Sequence, residues 1–228
     1  MPTNPHPHKT GRRNFLGSIA TGAATLGLST IAAPIDTLAK SQNPADVETW
    51  FNQIKGKHKI VYDAPHPNGI FPFAWPRVFL ATNVATGTPE KENSVVVVLR
   101  HSAVGYAFNH DMWSKYKFGD AFQAKDAGGN PQTKNAFWQP AAGTYAVPGI
   151  GPIAIGINEL QESGVMFCVC EAAITVNSTV IAGKMGLKPE DVKKDWMANI
   201  LPGIQPVPSG VWALGRAQEK GCGYIFAG

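Results

Sequence analysis

The stretch that most constrains the fold is residues 95–99, where four valines and a leucine follow one another without a polar residue between them. A strand with one face in the core alternates apolar and polar residues, whereas a strand buried on both faces carries a continuous apolar run. This stretch therefore predicts a central strand of a parallel sheet. Helices must then cover both faces of that sheet.

Short apolar runs of this kind alternate with longer helical patterns along most of the chain. The predicted strands are residues 59–63, 95–100, 165–170, 204–207 and 223–226. The predicted helices are residues 73–86, 105–116, 152–162 and 172–184, a short helix opened by Pro189, and one that Ser209 caps and that reaches Lys220. This alternation predicts an α/β fold, a single domain with a mostly parallel five-stranded sheet flanked by helices.

Composition supports one globular domain and excludes one class of partner. The chain has 228 residues, of which 44% are hydrophobic and 16% are charged, so it can bury a sizeable core. Its formal net charge is only +4, and part of that comes from the basic residues of the first 39. A nucleic-acid partner is therefore not expected.

The N-terminal segment carries a specific targeting pattern. Arg12 and Arg13 precede a Phe-Leu pair, and a weakly apolar stretch rich in Gly and Ala follows at residues 15–33. This resembles a twin-arginine signal peptide, and its glycines, serines and threonines make it too polar for a membrane anchor, which needs roughly 20 strongly apolar residues. We expect residues 1–39 to direct export by the twin-arginine translocase and to be removed, with cleavage near residue 33 as the alternative. The mature protein is then periplasmic or otherwise exported.

The rest of the chain divides into a linker and N-terminal segment at residues 40–56 and a domain at residues 57–228. Within that domain, residues 118–152 are rich in glycine and proline and form a predicted insertion loop. Loops of this length are uncommon in compact domains and are usually functional. Its aromatic residues favour burial over disorder, so we expect a covering loop or a subunit contact.

Candidate functional residues follow three of the predicted strands. Because ligands bind at the carboxyl ends of parallel strands, the loop at residues 63–69, the segment 100–102 and the pair Cys170 and Glu171 are expected to meet at one edge of the sheet. His66, Arg100, Glu171 and Cys168 are the candidate ligand-binding residues. These residues are expected to form one site, and its chemistry depends on the thiol of Cys170.

Cys170 and His101 are the candidate catalytic residues. Cys170 ends a strand just before a helix, where unpaired backbone N–H groups favour a thiolate nucleophile. His101 assists it if the two strands are neighbours. The alternative is that Cys170 is an inert residue of the core, as most free cysteines are.

The other thiols and the histidines are less specific. Three cysteines cannot all pair within one chain, and alternate residues of a strand have poor geometry for a disulfide, so Cys168 is expected in the core while the state of Cys222 stays open. His66, His101 and His110 lack the spacing of metal-binding motifs. No metal or cofactor is predicted.

Three segments carry a resemblance to a known family: GVMFCVCEAA at residues 164–173, LPGIQPVPSGV at 201–211 and LGRAQ at 214–218. They are similar to the C-terminal half of DsrE/DsrF-like proteins, which include sulfur-relay subunits of the DsrE and TusD type. The resemblance implies a DsrE-like α/β domain over residues 57–228, assembly into homo-oligomers (trimers or hexamers), and a cysteine at the end of the third strand that carries sulfur as a persulfide. Cys170 matches that position.

Two functions from different classes follow. The first is an exported DsrE-like protein that binds or transfers sulfane sulfur on Cys170, taking it from a small sulfur-containing ligand and passing it to an acceptor thiol, as a sulfurtransferase or a sulfur carrier. The second is a non-catalytic oligomeric periplasmic module that binds a small ligand or a metal ion. A purely structural role is the third possibility.

Overall fold

The computed structural model of the protein describes residues 44–228. In this part of the chain the strands are β1 (His58–Ala64), β2 (Asn93–Leu99), β3 (Ala146–Val147), β4 (Gly151–Pro152), β5 (Val165–Cys170), β6 (Ile204–Val207) and β7 (Gly223–Phe226). The α-helices are α1 (Pro44–Phe51), α2 (Phe71–Ala85), α3 (His110–Lys115), α4 (Phe118–Ala121), α5 (Ile157–Glu162), α6 (Glu171–Met185), α7 (Pro189–Ala198) and α8 (Gly210–Glu219). Short 3-10 helices lie at Glu90–Glu92 and His101–Ala107.

Five strands form one parallel sheet in the order β6-β5-β2-β1-β7. The valine run lies in the central strand β2, where Val96 pairs with Val61 on one side and Met166 on the other. Its side chains are completely buried from residue 96 to residue 99. The predicted α/β fold with a parallel five-stranded sheet is thereby confirmed.

Each face of the sheet has its own apolar cluster. The larger one joins alternate residues of β2, such as Val95 and Val97, to α2, α5, α6 and α7. The smaller one joins Val96 and Val98 to α1 and α8. The connections after β5 and β6 therefore leave the sheet on opposite faces, which opens a crevice at the carboxyl ends of these two strands.

The starts of three helices can be compared with the sequence predictions. Ser209 caps α8 as predicted, because its hydroxyl accepts from the backbone N–H of Trp212. The predicted helix at residues 105–116 is instead two elements, since Asn109 caps α3 and interrupts the preceding 3-10 helix. The helix predicted from residue 152 begins only at Ile157, after the short strand β4.

The segment predicted as a linker, residues 40–56, contains helix α1 in its described part. Val47 and Phe51 are buried against the sheet. The predicted signal peptide, residues 1–39, lies outside the described residues. Within the described part of the chain, no helix combines the length and apolar character that a membrane span requires.

Residues 118–152 hold α4 and the β3–β4 hairpin and pack onto the core. The ring of Phe137 stacks between those of Phe73 and Tyr145, with centroid distances of 4.1 and 5.2 Å. The buried side chain of Asn135 donates to the backbone carbonyls of Tyr106 and Phe108. This region is therefore part of the folded body. Phe118, Phe122 and Phe137 are buried, and Trp138 and Tyr145 are partly buried against the core.

Candidate functional site

A buried ion pair organises the carboxyl edge of the sheet. Asp63 is almost completely buried near the end of β1. Arg100 Nε and Nη2 donate to its two oxygens at 2.6 and 2.9 Å, and the Tyr224 hydroxyl donates at 2.8 Å. The hydrogen bond to Asp63 is the main cause that raises the pKa of Arg100. Asp63 therefore holds a permanent cation at this edge, because a bidentate pair fixes the guanidinium.

Cys170 lies next to this cation. Leu99 of β2 pairs with Val169 of β5, so the residues that follow them, Arg100 and Cys170, leave the sheet side by side. The thiol adds a smaller electrostatic contribution in the same direction to the pKa of Arg100. The sheet thus places Arg100 and Cys170 at the ends of neighbouring strands.

The sulfur also lies at a helix start. Cys170 is the N-cap of the 15-residue helix α6, and its Sγ accepts from the backbone N–H of Ala173 at 3.2 Å. Cys170 is 7% exposed. The sulfur therefore lies at the positive end of the dipole of α6.

The other two thiols are in different surroundings. All three cysteines are free and buried. Cys168 is completely enclosed in the smaller cluster, and burial raises its pKa. Burial also raises the pKa of Cys222 to about 11. The candidate Cys168 is thus separated from solvent, and Cys170 alone of the three caps a helix at the sheet edge.

His66 and His101 meet around Ser102. Their ring centroids are 4.8 Å apart, and each Nδ1 lies within 3.0 to 3.3 Å of the Ser102 hydroxyl. That hydroxyl donates its proton to the carbonyl of Pro65, so it accepts from both rings. In the neutral rings Nδ1 therefore carries the proton and Nε2 is free to accept one. Ser102 is therefore not activated as a nucleophile, because its proton goes to a backbone carbonyl and not to a base.

The backbone of His101 is strained. Its φ is +49°, a left-handed value that residues other than glycine adopt rarely. The conformation is held by Pro65, whose carbonyl accepts the backbone N–H groups of Ser102 and Ala103. Partial burial, with the nearby charges of His66 and Arg100, lowers the pKa of His101. The ring is thus kept neutral and fixed beside the edge.

Glu171, the first residue of α6, forms an ion pair with α7. Its buried carboxylate accepts from Lys193 of α7 at 3.0 Å, which ties α6 to α7. His110 starts α3 and does not contribute to the His66 pair described above. In residues 44–228 there is no group of three or more His, Cys, Asp or Glu side chains placed to hold a metal ion.

The sequence places residues 63–69 at this edge without assigning a role to Asp63, and the predicted site does not include Tyr224. Asp63 had a usable signal, because a carboxylate inside the run IVYDA must find a partner if that strand is buried. Tyr224 had none, since its contact depends on β7 returning to pair with β1. Comparison with protein-family models and with curated proteins finds no match for this chain.

Proposed function

We propose that the protein is an exported DsrE/DsrF-like protein that binds and transfers sulfane sulfur as a persulfide on Cys170. The observation that carries this proposal is the position of the sulfur, which caps α6 beside Arg100. The three segments that resemble the family include this cysteine. The N-terminal twin-arginine pattern supports export by the translocase.

The transfer needs no redox partner. The Cys170 thiolate attacks the outer sulfur of a persulfide donor R–S–SH, a sulfur–sulfur bond forms on Cys170, and the donor's sulfur–sulfur bond breaks. The electron pair of that bond leaves on R–S⁻. Attack of an acceptor thiolate on the outer sulfur then returns the Cys170 thiolate.

The surrounding groups have distinct parts in this scheme. Arg100 and the N–H of Ala173 stabilise negative charge on the sulfur in the thiolate and persulfide forms. His101, neutral and held through its carbonyl by Asn177 of α6, accepts the thiol proton on Nε2. The 7% exposure of Cys170 restricts the donor and acceptor to narrow groups.

Cyanolysis tests the proposal. Purified protein is incubated with an organic persulfide, desalted and treated with cyanide, which releases bound sulfane sulfur as thiocyanate. We expect one equivalent per chain from wild type and from Arg216→Gln, a matched removal of an arginine on α8. Arg100→Gln is expected to lower the loading rate about tenfold or more, because a charged partner of a buried group contributes about 1.5–3 kcal/mol. Absence of loading in the wild type, or full loading in Cys170→Ser, would reject the proposal.

A second candidate is the non-catalytic module. The observation that favours it is the His66 and His101 pair, which presents two Nε2 atoms at an exposed edge beside a fixed arginine. Such a module binds a small ligand that donates hydrogen bonds to the two Nε2 atoms, without using the thiol. Ligand binding that is unchanged in Cys170→Ser and lost in a His66→Ala, His101→Ala double variant would favour this candidate.

A further inference from the structure

The two edges of the sheet are built differently. Edge strands with free backbone groups invite pairing, and proteins commonly protect them with proline, charge or a covering element. In β6, Pro206 removes an N–H group and both end residues are buried. All four residues of β7 are exposed and none is proline or charged, with Tyr224 at 46%, Ile225 at 39% and Phe226 at 54%.

The outer side of β7 offers a regular set of hydrogen-bonding groups. The N–H of Ala227 donates to Asp63 of β1, so the backbone groups of residues 223, 225 and 227 face inward. Successive residues of a strand alternate in this respect, and Tyr224 and Phe226 therefore turn their N–H and C=O groups outward. This pattern is symmetric about Ile225.

Helix α2 continues the apolar surface beside this edge. Phe71, Trp75 and Val78 on α2 are all exposed. An apolar groove of about 390 Å³ runs between α2 and β7 and is lined by Tyr62, Trp75, Val78, Phe79, Thr82, Asn83 and Ile225. The open edge and the groove thus form one surface, which we call the β7 face.

We propose that the β7 face binds a second copy of this chain about a two-fold axis that passes beside Ile225. The two β7 strands pair antiparallel, and Tyr224 of each copy exchanges two backbone hydrogen bonds with Phe226 of the other. The four bonds join the two sheets into one of ten strands. In this two-fold arrangement the same pair of hydrogen bonds occurs twice. All outward N–H and C=O groups of Tyr224 and Phe226 in both copies are then paired.

Size and spacing agree with this dimer. The two-fold axis is perpendicular to the sheet, so the α2 helices of the two copies lie on the same face of the joined sheet. The β1 strands of the two copies are three strand spacings apart, which is about 14 Å. Aromatic side chains of α2 fill that gap. The exposed apolar side chains of the β7 face supply on the order of 500 Å² per copy, and the strand backbone adds to this, against about 800 Å² per partner in a standard interface.

Sedimentation velocity of the full chain tests the assembly. Wild type is expected to sediment as a dimer or as a multiple of dimers. Phe226→Pro removes an outward N–H and an exposed ring of the β7 face, and Trp75→Glu places a charge in the groove. Both variants are expected to lose the dimer contact and keep their circular dichroism spectrum. Val211→Glu, at an exposed valine of α8, is the control and is expected to keep it. A wild-type monomer or trimer, or Phe226→Pro and Trp75→Glu chains that assemble like wild type, would overturn the proposal.

A disulfide trap tests the register. Directly opposed residues of a non-hydrogen-bonded antiparallel pair have Cα atoms about 4.5 Å apart, and Ile225 faces its own copy in this way. Ile225→Cys is therefore expected to form a covalent dimer under mild oxidation, whereas Val211→Cys is expected to remain monomeric on a denaturing gel. Equal crosslinking of the two variants would overturn the proposed pairing, as would crosslinking of neither. The alternative is that residues 1–43 of the same chain pair with β7. In that case the Ile225→Cys crosslink will form only in a chain that lacks these residues, and this result would also overturn the proposal.

Discussion

Two regions of this protein are held in opposite ways. Residues 118–152 are irregular, yet they are fixed by apolar burial, with Phe137 stacked between two other aromatic rings. The carboxyl edge of the sheet is fixed by charge, through the pair of Asp63 and Arg100, and by the strained turn at His101.

The difference separates stability from chemistry. Burial of aromatic surface stabilises the fold without leaving a reactive group. A buried carboxylate is a costly way to stabilise a fold, but it fixes a cation next to the sulfur of Cys170. The irregular segment therefore contributes stability, and the edge contributes the charged and polar groups of the proposed site.

The largest effect on stability is expected in the aromatic segment. Phe137→Ala removes a completely enclosed ring, and we expect it to lower the free energy of unfolding by about 3–5 kcal/mol. Urea denaturation measures this. Ile150→Ala is the control in the same segment, because Ile150 is exposed, and its effect is expected within about 0.5 kcal/mol. A similar loss in both variants would contradict the burial argument.

Removal of the Asp63 charge at the edge is expected to lower the free energy of unfolding by less, but to affect sulfur loading as well. Asp63→Asn leaves Arg100 without its anion, and we expect a loss of about 3 kcal/mol in unfolding free energy. Sulfur loading is expected to fall as well, since Arg100 is no longer fixed. Tyr224→Phe removes a single hydrogen bond to the same carboxylate and is expected to cost about 1 kcal/mol with loading retained. Equal sulfur loading by Asp63→Asn and wild type would show that the ion pair of Asp63 and Arg100 is not needed for loading.

The smallest effect is a pH dependence at His101. Its pKa is lowered in the folded state, so the unfolded chain binds more protons once the pH falls below the ordinary value of about 6.5. Stability from this group is therefore present above that pH and is lost as the pH falls through the lowered value. In His101→Gln the midpoint of urea denaturation is expected to change less with pH over this window than in wild type. His58→Gln is the control and is expected to keep the pH dependence of wild type. An unchanged slope in His101→Gln would contradict the assignment.

The sequence predicted the sheet well because its strands are short apolar runs that local pattern identifies. Strands β5, β6 and β7 have the predicted bounds. Helix α1 could not be predicted, since only Val47 and Phe51 mark it and both gain their role from tertiary packing. The strand order likewise depends on contacts that are distant in sequence.

The site was predicted in part for the same reason. Parallel strands end at the same edge of a sheet, and this rule places Arg100, His101 and Cys170 together from the sequence alone. The partner of Arg100 was not predicted, because two strands must be neighbours before Asp63 faces it. The pairing of Glu171 with Lys193 was likewise not predicted, because it depends on α7 packing beside α6.

The central claim is that Cys170 carries the sulfur, and peptide mass mapping tests it most directly. The native protein is loaded with an organic persulfide, alkylated, digested and compared with Cys170→Ser and with a Cys168→Ala, Cys222→Ala double variant. The account predicts one added sulfur atom on the peptide that contains Cys170, in wild type and in the double variant, and none in Cys170→Ser. Added sulfur on Cys168 or Cys222, or an unmodified Cys170 in the folded protein, would contradict it.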